Sequence, residues 1–98
     1  MNEKQKAFKK KYGFDPTDIW SLDAWLAREL SKRIYAWLEV GVMSHPADMT
    51  PEEWDSQLRA AADGLRAYCD EDYYDEESAQ SGVKAMQWIT DNFIHLWD

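Results

Sequence analysis

Residues 70–77 read DEDYYDEE, six carboxylates and two tyrosines in eight positions, with no lysine or arginine until Lys84. Carboxylates this dense can ligate a hard cation, imitate the charge of a nucleic acid, or simply keep a corner between two helices solvated. A calcium loop wants oxygen ligands at its first, third and fifth positions, glycine at the sixth and glutamate at the twelfth. Counted from Asp70 these fall on Asp70, Asp72, Tyr74, Asp75 and Ser81, so only the first two fit. The metal template fails, and no cofactor is implied.

The acidity extends upstream through Glu52, Glu53, Asp55 and Asp63, offset only by Arg59 and Arg66. Carboxylates three or four residues apart on a helix lie about 5–6 Å apart, comparable with successive phosphates along one strand. A stiff helical pair carrying such a row would compete for the lysine- and arginine-lined channel of a nucleic-acid enzyme, and salt would weaken the contact. The face so assembled comprises Glu52, Asp55, Asp63, Asp70, Glu71, Asp72, Asp75, Glu76 and Glu77, with Tyr73 and Tyr74 as apolar anchors. Trp88 shares neither the Met86 nor the Ile89 line and is expected to be exposed, as a further anchor for a partner.

No catalytic constellation stands beside this one. His45 and His95 are fifty residues apart, and neither has a ligand partner at zinc spacing. Ser44 adjoins His45 without the glycine-framed turn of a nucleophile elbow. Cys69 is the sole cysteine, so no internal disulfide forms, which fits a reducing compartment. The expectation is a protein that is not an enzyme.

Charge is distributed unevenly. Residues 1–12 hold five lysines against Glu3, a balance of +4, while residues 13–98 hold six basic and eighteen acidic side chains, a balance of −12. The acidic body repels DNA, RNA and anionic lipid and attracts cationic protein surfaces. The lysines, with Phe8 and Tyr12, form a weaker alternative: a patch that grips phosphate, docks as a solubilising helix, or reaches the acidic patch of a second copy. No apolar run reaches the length of a signal peptide's core or of a membrane span.

Ninety-eight residues bound the fold to one domain with a modest core, for which six tryptophans, five tyrosines and three phenylalanines supply apolar area. Helix is the only period present. The spacing predicts a short basic helix over 2–11, ended by Gly13. A long helix starts with Ser21 as cap and Trp20 and Trp25 as staple; Leu22, Leu26, Leu30, Ile34 and Leu38 form its stripe, and Gly41 stops it. A third begins at MTPEEW, with Thr50 as cap, Pro51 at the first helical position, Glu53 as capping-box partner and Met49 opposite Trp54. Its apolar side carries Trp54, Leu58, Ala61, Ala62, Leu65, Tyr68 and Cys69, and Gly64 within it implies close packing or a weak point. A last helix is expected from about residue 75 to the end, with Ala79, Val83, Met86, Ile89, Phe93, Leu96 and Trp97 inward. Trp25, Trp37, Trp54 and Trp97 are expected to be largely buried. The class is all-α: an antiparallel three-helix bundle with an additional short basic N-terminal helix.

The run GFDPTDIWSLDAWLA, the later MTPEEWD and the ending FIHLWD resemble, in order and spacing, a family of small proteins encoded by bacteriophages and prophages. The likeness spans most of residues 13–98, and its motifs are caps, staples and core aromatics, so it implies a common fold more than a common activity. It carries over no catalytic residues. It implies a bacterial host cytoplasm as the place of action. Residues 1–12 and DEDYYDEE depart from the family's pattern, and a specialised role would sit there. Small acidic phage proteins include anti-CRISPR proteins that imitate DNA. The expectation is an inhibitor of a host defence nuclease, a CRISPR effector, with no direct nucleic-acid or membrane contact. The alternative is a noncatalytic phage structural or assembly protein.

Overall fold

A computed structural model describes residues 2–70 and 75–98. Among these residues all regular structure is helical: α1 (Glu3–Tyr12), a 3-10 turn over Pro16–Ile19, α2 (Leu22–Val40), α3 (Pro51–Asp70), α4 (Glu76–Asp91) and a second 3-10 turn over Phe93–His95.

Helix α1 is bounded by local chemistry alone. Asn2 and Gln5 form a reciprocal capping box, the Asn2 side chain accepting the Gln5 N–H at 2.8 Å and the Gln5 side chain accepting the Asn2 N–H at 3.0 Å. Gly13, at φ 84°, closes the other end in the left-handed region. The helix buries none of its residues, and its main contact with the rest of the fold is with Pro16–Ile19. Phe8, Tyr12 and Phe14 cluster at its foot in tilted and edge-to-face contacts, with Phe8 4.6 Å from Tyr12 and 5.4 Å from Phe14, ring centre to ring centre.

Helix α3 is the spine. Helices α2 and α4 both pack on it while scarcely meeting each other. Tyr35 of α2 donates to Asp63, and Tyr68 donates to Asp23 near the start of α2, so α2 and α3 run in opposite directions. Trp88 Nε1 donates to Gln57 at 2.8 Å and Gly64 abuts Ser81, so α4 is antiparallel to α3 as well. The core is small and centred on α3, where Trp54, Leu58, Ala62 and Leu65 are buried together with Ala27, Ile34, Ala85 and Ile89. Close approach of α3 and α4 depends on glycine. A Cβ on Gly64 would lie 2.9 Å from the Ser81 carbonyl, and one on Gly82 would lie 2.6 Å from the Tyr68 ring. Close packing at Gly64 is therefore what the structure has.

Several expectations are corrected. Ser21 occupies the cap position of α2, but its hydroxyl caps nothing, because the chain arrives straight from a 3-10 turn that sets its backbone at ψ 63°. Trp20 is 71% exposed rather than stapled inward. The inner face of α2 is Ala27, Ser31 and Ile34, and Leu22 and Leu26 are exposed. Of the other α-helices only α3 packs closely on this one, so its buried stripe is narrower than the leucine spacing suggested. The last helix does not reach the end: it stops at Asp91, and the Asn92 side chain donates to the Trp88 carbonyl at 3.0 Å. The inward residues of α4 are accordingly Gly82, Ala85 and Ile89, with Met86 half-buried, whereas Val83, Phe93 and Trp97 are exposed, Trp97 at 67%. Trp54 is fully buried as expected, while Trp25 and Trp37 are half-buried.

Beyond Asp91 the chain turns across the fold toward α2. His95 sets its ring edge-on to Trp54 at 6.4 Å, and Leu96 packs against the core. The Asp98 side chain accepts the Trp37 Nε1–H at 2.9 Å and the backbone N–H groups of Met43 and Ser44 at 2.9 and 2.8 Å. This pins the last residues to the connection between α2 and α3.

Candidate functional site

The acidic face is built from the outer ridge of α3 and the first turn of α4. Pro51 at the first position and Thr50, whose hydroxyl accepts the Glu53 N–H at 3.1 Å, start α3 where the sequence signals it. From there Glu52, Asp55, Arg59, Asp63, Arg66 and Asp70 follow at three- or four-residue steps, and all six are exposed. They therefore share one side of the helix, opposite Trp54, Leu58 and Leu65. Asp75 opens α4 as its cap, and Glu76 and Glu77 are exposed in its first turn, where acid groups suit the helix dipole.

The carboxylates differ in how far they are engaged. Asp63 accepts the Tyr35 hydroxyl, whose own pKa is pushed up by burial and by that carboxylate. Asp70 accepts the Arg66 guanidinium at 3.1 Å, which pushes the Arg66 pKa up and draws part of the negative field inward. Arg66 also lies 6.0 Å from the Tyr35 ring centre. Asp75 is half-buried and accepts both the N–H and the hydroxyl of Ser78, at 3.0 and 2.8 Å. That carboxylate is thus engaged locally as the cap of α4. Among the described residues Glu52, Asp55, Glu76 and Glu77 make no ion pair within 4 Å. Glu71, Asp72, Tyr73 and Tyr74 lie outside the described residues.

Trp88 does not stand out as expected. It is half-buried, its indole N–H is committed to Gln57, and its ring lies 5.3 Å from Trp54. Besides Tyr12, Phe14, Leu26 and Val83, the exposed large apolar side chains include Ile19, Trp20 and Leu22 at one end of α2 and Val40, Met43, Phe93, Ile94 and Trp97 at the other. The signal that locates them is the interruption of helix around them, since segments 16–19 and 93–95 have no long face to bury.

The remaining reactive groups are spoken for. His45 sits in the loop after α2 with Nδ1 2.9 Å from the Pro46 carbonyl, and His95 packs against Trp54. Burial, helped by the neighbouring Asp70 carboxylate, pushes the Cys69 thiol up, which keeps it protonated and unreactive at neutral pH. Among the described residues no three His, Cys, Asp or Glu side chains converge as a metal set would, and no helix is long and apolar enough to cross a membrane. No protein-family model, curated protein or solved structure matches the chain.

Proposed function

We propose that this is a noncatalytic acidic binding protein, of phage or prophage origin, which inhibits a host defence nuclease by occupying its nucleic-acid groove with carboxylates. A CRISPR effector in the bacterial cytoplasm is the partner this reading names. The scaffold in that reading is an antiparallel three-helix bundle, with α1 outside it.

One observation carries the proposal: Glu52, Asp55, Asp63 and Asp70 line a single exposed ridge of a twenty-residue helix, and Glu76 and Glu77 stand exposed just past its end. A rigid ridge with repeated anions offers a cationic channel a surface whose ordering cost is already met by the fold. Arg59 and Arg66 interrupt the ridge, so its least compensated parts are the two ends, Glu52 with Asp55 and Glu76 with Glu77. Binding there releases little chain entropy and is governed by long-range attraction, which speeds encounter and fades with salt.

The test is affinity capture from bacterial lysate at low and high salt, followed by competition with duplex DNA. The expected partner is a nucleic-acid enzyme that high salt or DNA displaces. The quadruple change Glu52→Gln, Asp55→Asn, Glu76→Gln and Glu77→Gln should lose the partner while circular dichroism stays helical. Capture that survives both DNA and the quadruple change overturns the proposal.

A second reading, a structural or assembly protein of the virion, is favoured by the exposed apolar residues Phe93, Ile94 and Trp97 beside Val40 and Met43. Apolar side chains left exposed in such number suit protein–protein contact. Salt-resistant self-association through these residues would favour assembly over inhibition.

A further inference from the structure

The cleft between α2 and α4 is covered at one end by the protein's own chain and open at the other. Residues 92–98 cross it near the end of α4, with Leu96 on the core and Asp98 fastened to Met43 and Ser44. Toward the start of α2 nothing described crosses, and a groove of about 590 Å³ remains. Ala27 and Leu65 are buried at its base, and Leu26, Val83 and Met86 form its walls. The charged side chains lining it, Asp23 and Asp91, are both acidic.

Helix α1 has the complementary properties. It carries five lysines, and among the described residues none of them joins an ion pair within 4 Å. Its ten residues make a rod of about 15 Å. The stretch of α4 that lines the groove, Gly82 to Asp91, is about as long by the same rise. At its foot the cluster of Phe8, Tyr12 and Phe14 leaves Tyr12 and Phe14 exposed. In the chain the helix precedes α2, and the 3-10 turn over Pro16–Ile19 between them contacts both.

We propose that two copies of the chain exchange α1, each seating its aromatic cluster in the other's groove with its lysines near Asp23 and Asp91. The edge-to-face contact of Phe8 with Phe14 ties α1 to the residues just after it and opposes the chain reversal that would bring it into its own groove. A second copy meets no such constraint. The exchange is reciprocal about a twofold axis, so each copy both gives and receives an α1 helix. Dimerisation of this kind is part apolar and part ionic, and salt weakens it without abolishing it. It does not depend on the identity of any nuclease partner.

Sedimentation equilibrium of the full chain tests the proposal, with contacts read by isotope-filtered nuclear magnetic resonance on a mixture of labelled and unlabelled protein. The expected result is a dimer with intermolecular contacts between the Tyr12 ring and the Val83 and Met86 side chains. Val83→Lys, at a site 55% exposed, adds a cation to the receiving groove. Lys6→Glu with Lys10→Glu reverses charge on the incoming helix. Each should weaken the dimer about tenfold or more, with helical content unchanged. A monomer at every attainable concentration overturns the proposal, as does a monomer with α1 in its own groove. A dimer indifferent to both changes, formed through Phe93, Ile94 and Trp97, overturns it too.

Discussion

The two ends of the space between α2 and α4 face the same spine and differ in what covers them. At one end Trp54 and Leu58 are wholly removed from water, because Trp88, His95 and Leu96 close over them. At the other, Leu26 and Val83 stay exposed, and the contact between helices is made by a polar pair, Tyr68 on Asp23. Three helices in which the outer two scarcely meet enclose a core only where a fourth segment completes the ring of neighbours. Seven residues after α4 supply that segment at the first end, and no described residue of the same chain supplies it at the second. Stability therefore concentrates where the chain folds over itself, and capacity for binding concentrates where it does not.

The contrast is broken most severely at the closed end. Trp54→Ala empties a fully buried site and is expected to cost about 3–5 kcal/mol, whereas Leu26→Ala on the open groove should cost about 1 kcal/mol or less. Urea unfolding followed by circular dichroism measures both, and equal losses would show that the two ends are built alike. Next in size is Gly82→Ala. A helical glycine replaced by alanine ordinarily gains up to about 1 kcal/mol, but here the new methyl would meet the Tyr68 ring, which Asp23 holds in place. A net loss of about 1–3 kcal/mol is expected instead. A gain would mean that Tyr68 swings aside freely and that the open end is looser than the hydrogen bond implies.

The smallest effect is a pH signature of the closing segment. Hydrogen bonds from Trp37 Nε1 and the Met43 N–H lead those that hold the Asp98 carboxyl down at about 2, against an ordinary value of 3.8. A carboxyl depressed in the folded state contributes stability above its unfolded pKa and loses it as pH falls through the folded value. Asp98→Asn should therefore lower Tm by a few degrees at pH 7, with the gap narrowing below pH 4 and closing near pH 2. Thermal scans across that range check it. A gap independent of pH would assign the effect to packing rather than to the anion.

Local chemistry made α3 and α1 legible in the sequence. Thr50, Pro51 and the spacing of Trp54, Leu58 and Leu65 define α3 without reference to any neighbour, and Gly13 ends α1 through its own backbone freedom. The inner faces of α2 and α4 were read less well, because which residues they bury depends on how many helices surround them. Val83 and Leu22 continue an apolar period and still face water, since α3 is the one long helix packed closely on theirs. The acidic ridge was visible as spacing, and the local pairings of Asp70 with Arg66 four residues before it and of Asp75 with Ser78 as a helix cap follow from that spacing too, but the capture of Asp63 by Tyr35 is tertiary and had no sequence mark. Trp97 was misplaced for a related reason: Asn92 breaks the helix and resets the period on which its burial was reckoned.

The indole of Trp54 is sealed from water, lies tilted against a second indole, and has a ring nitrogen with no hydrogen-bond acceptor among the described residues. Such a chromophore emits toward the blue and couples to its neighbour, giving a near-ultraviolet dichroism band that the half-wet Trp25 and the exposed Trp20 and Trp97 do not share. The protein thus carries an intrinsic optical gauge of whether its last seven residues are latched or sprung, readable without any added label.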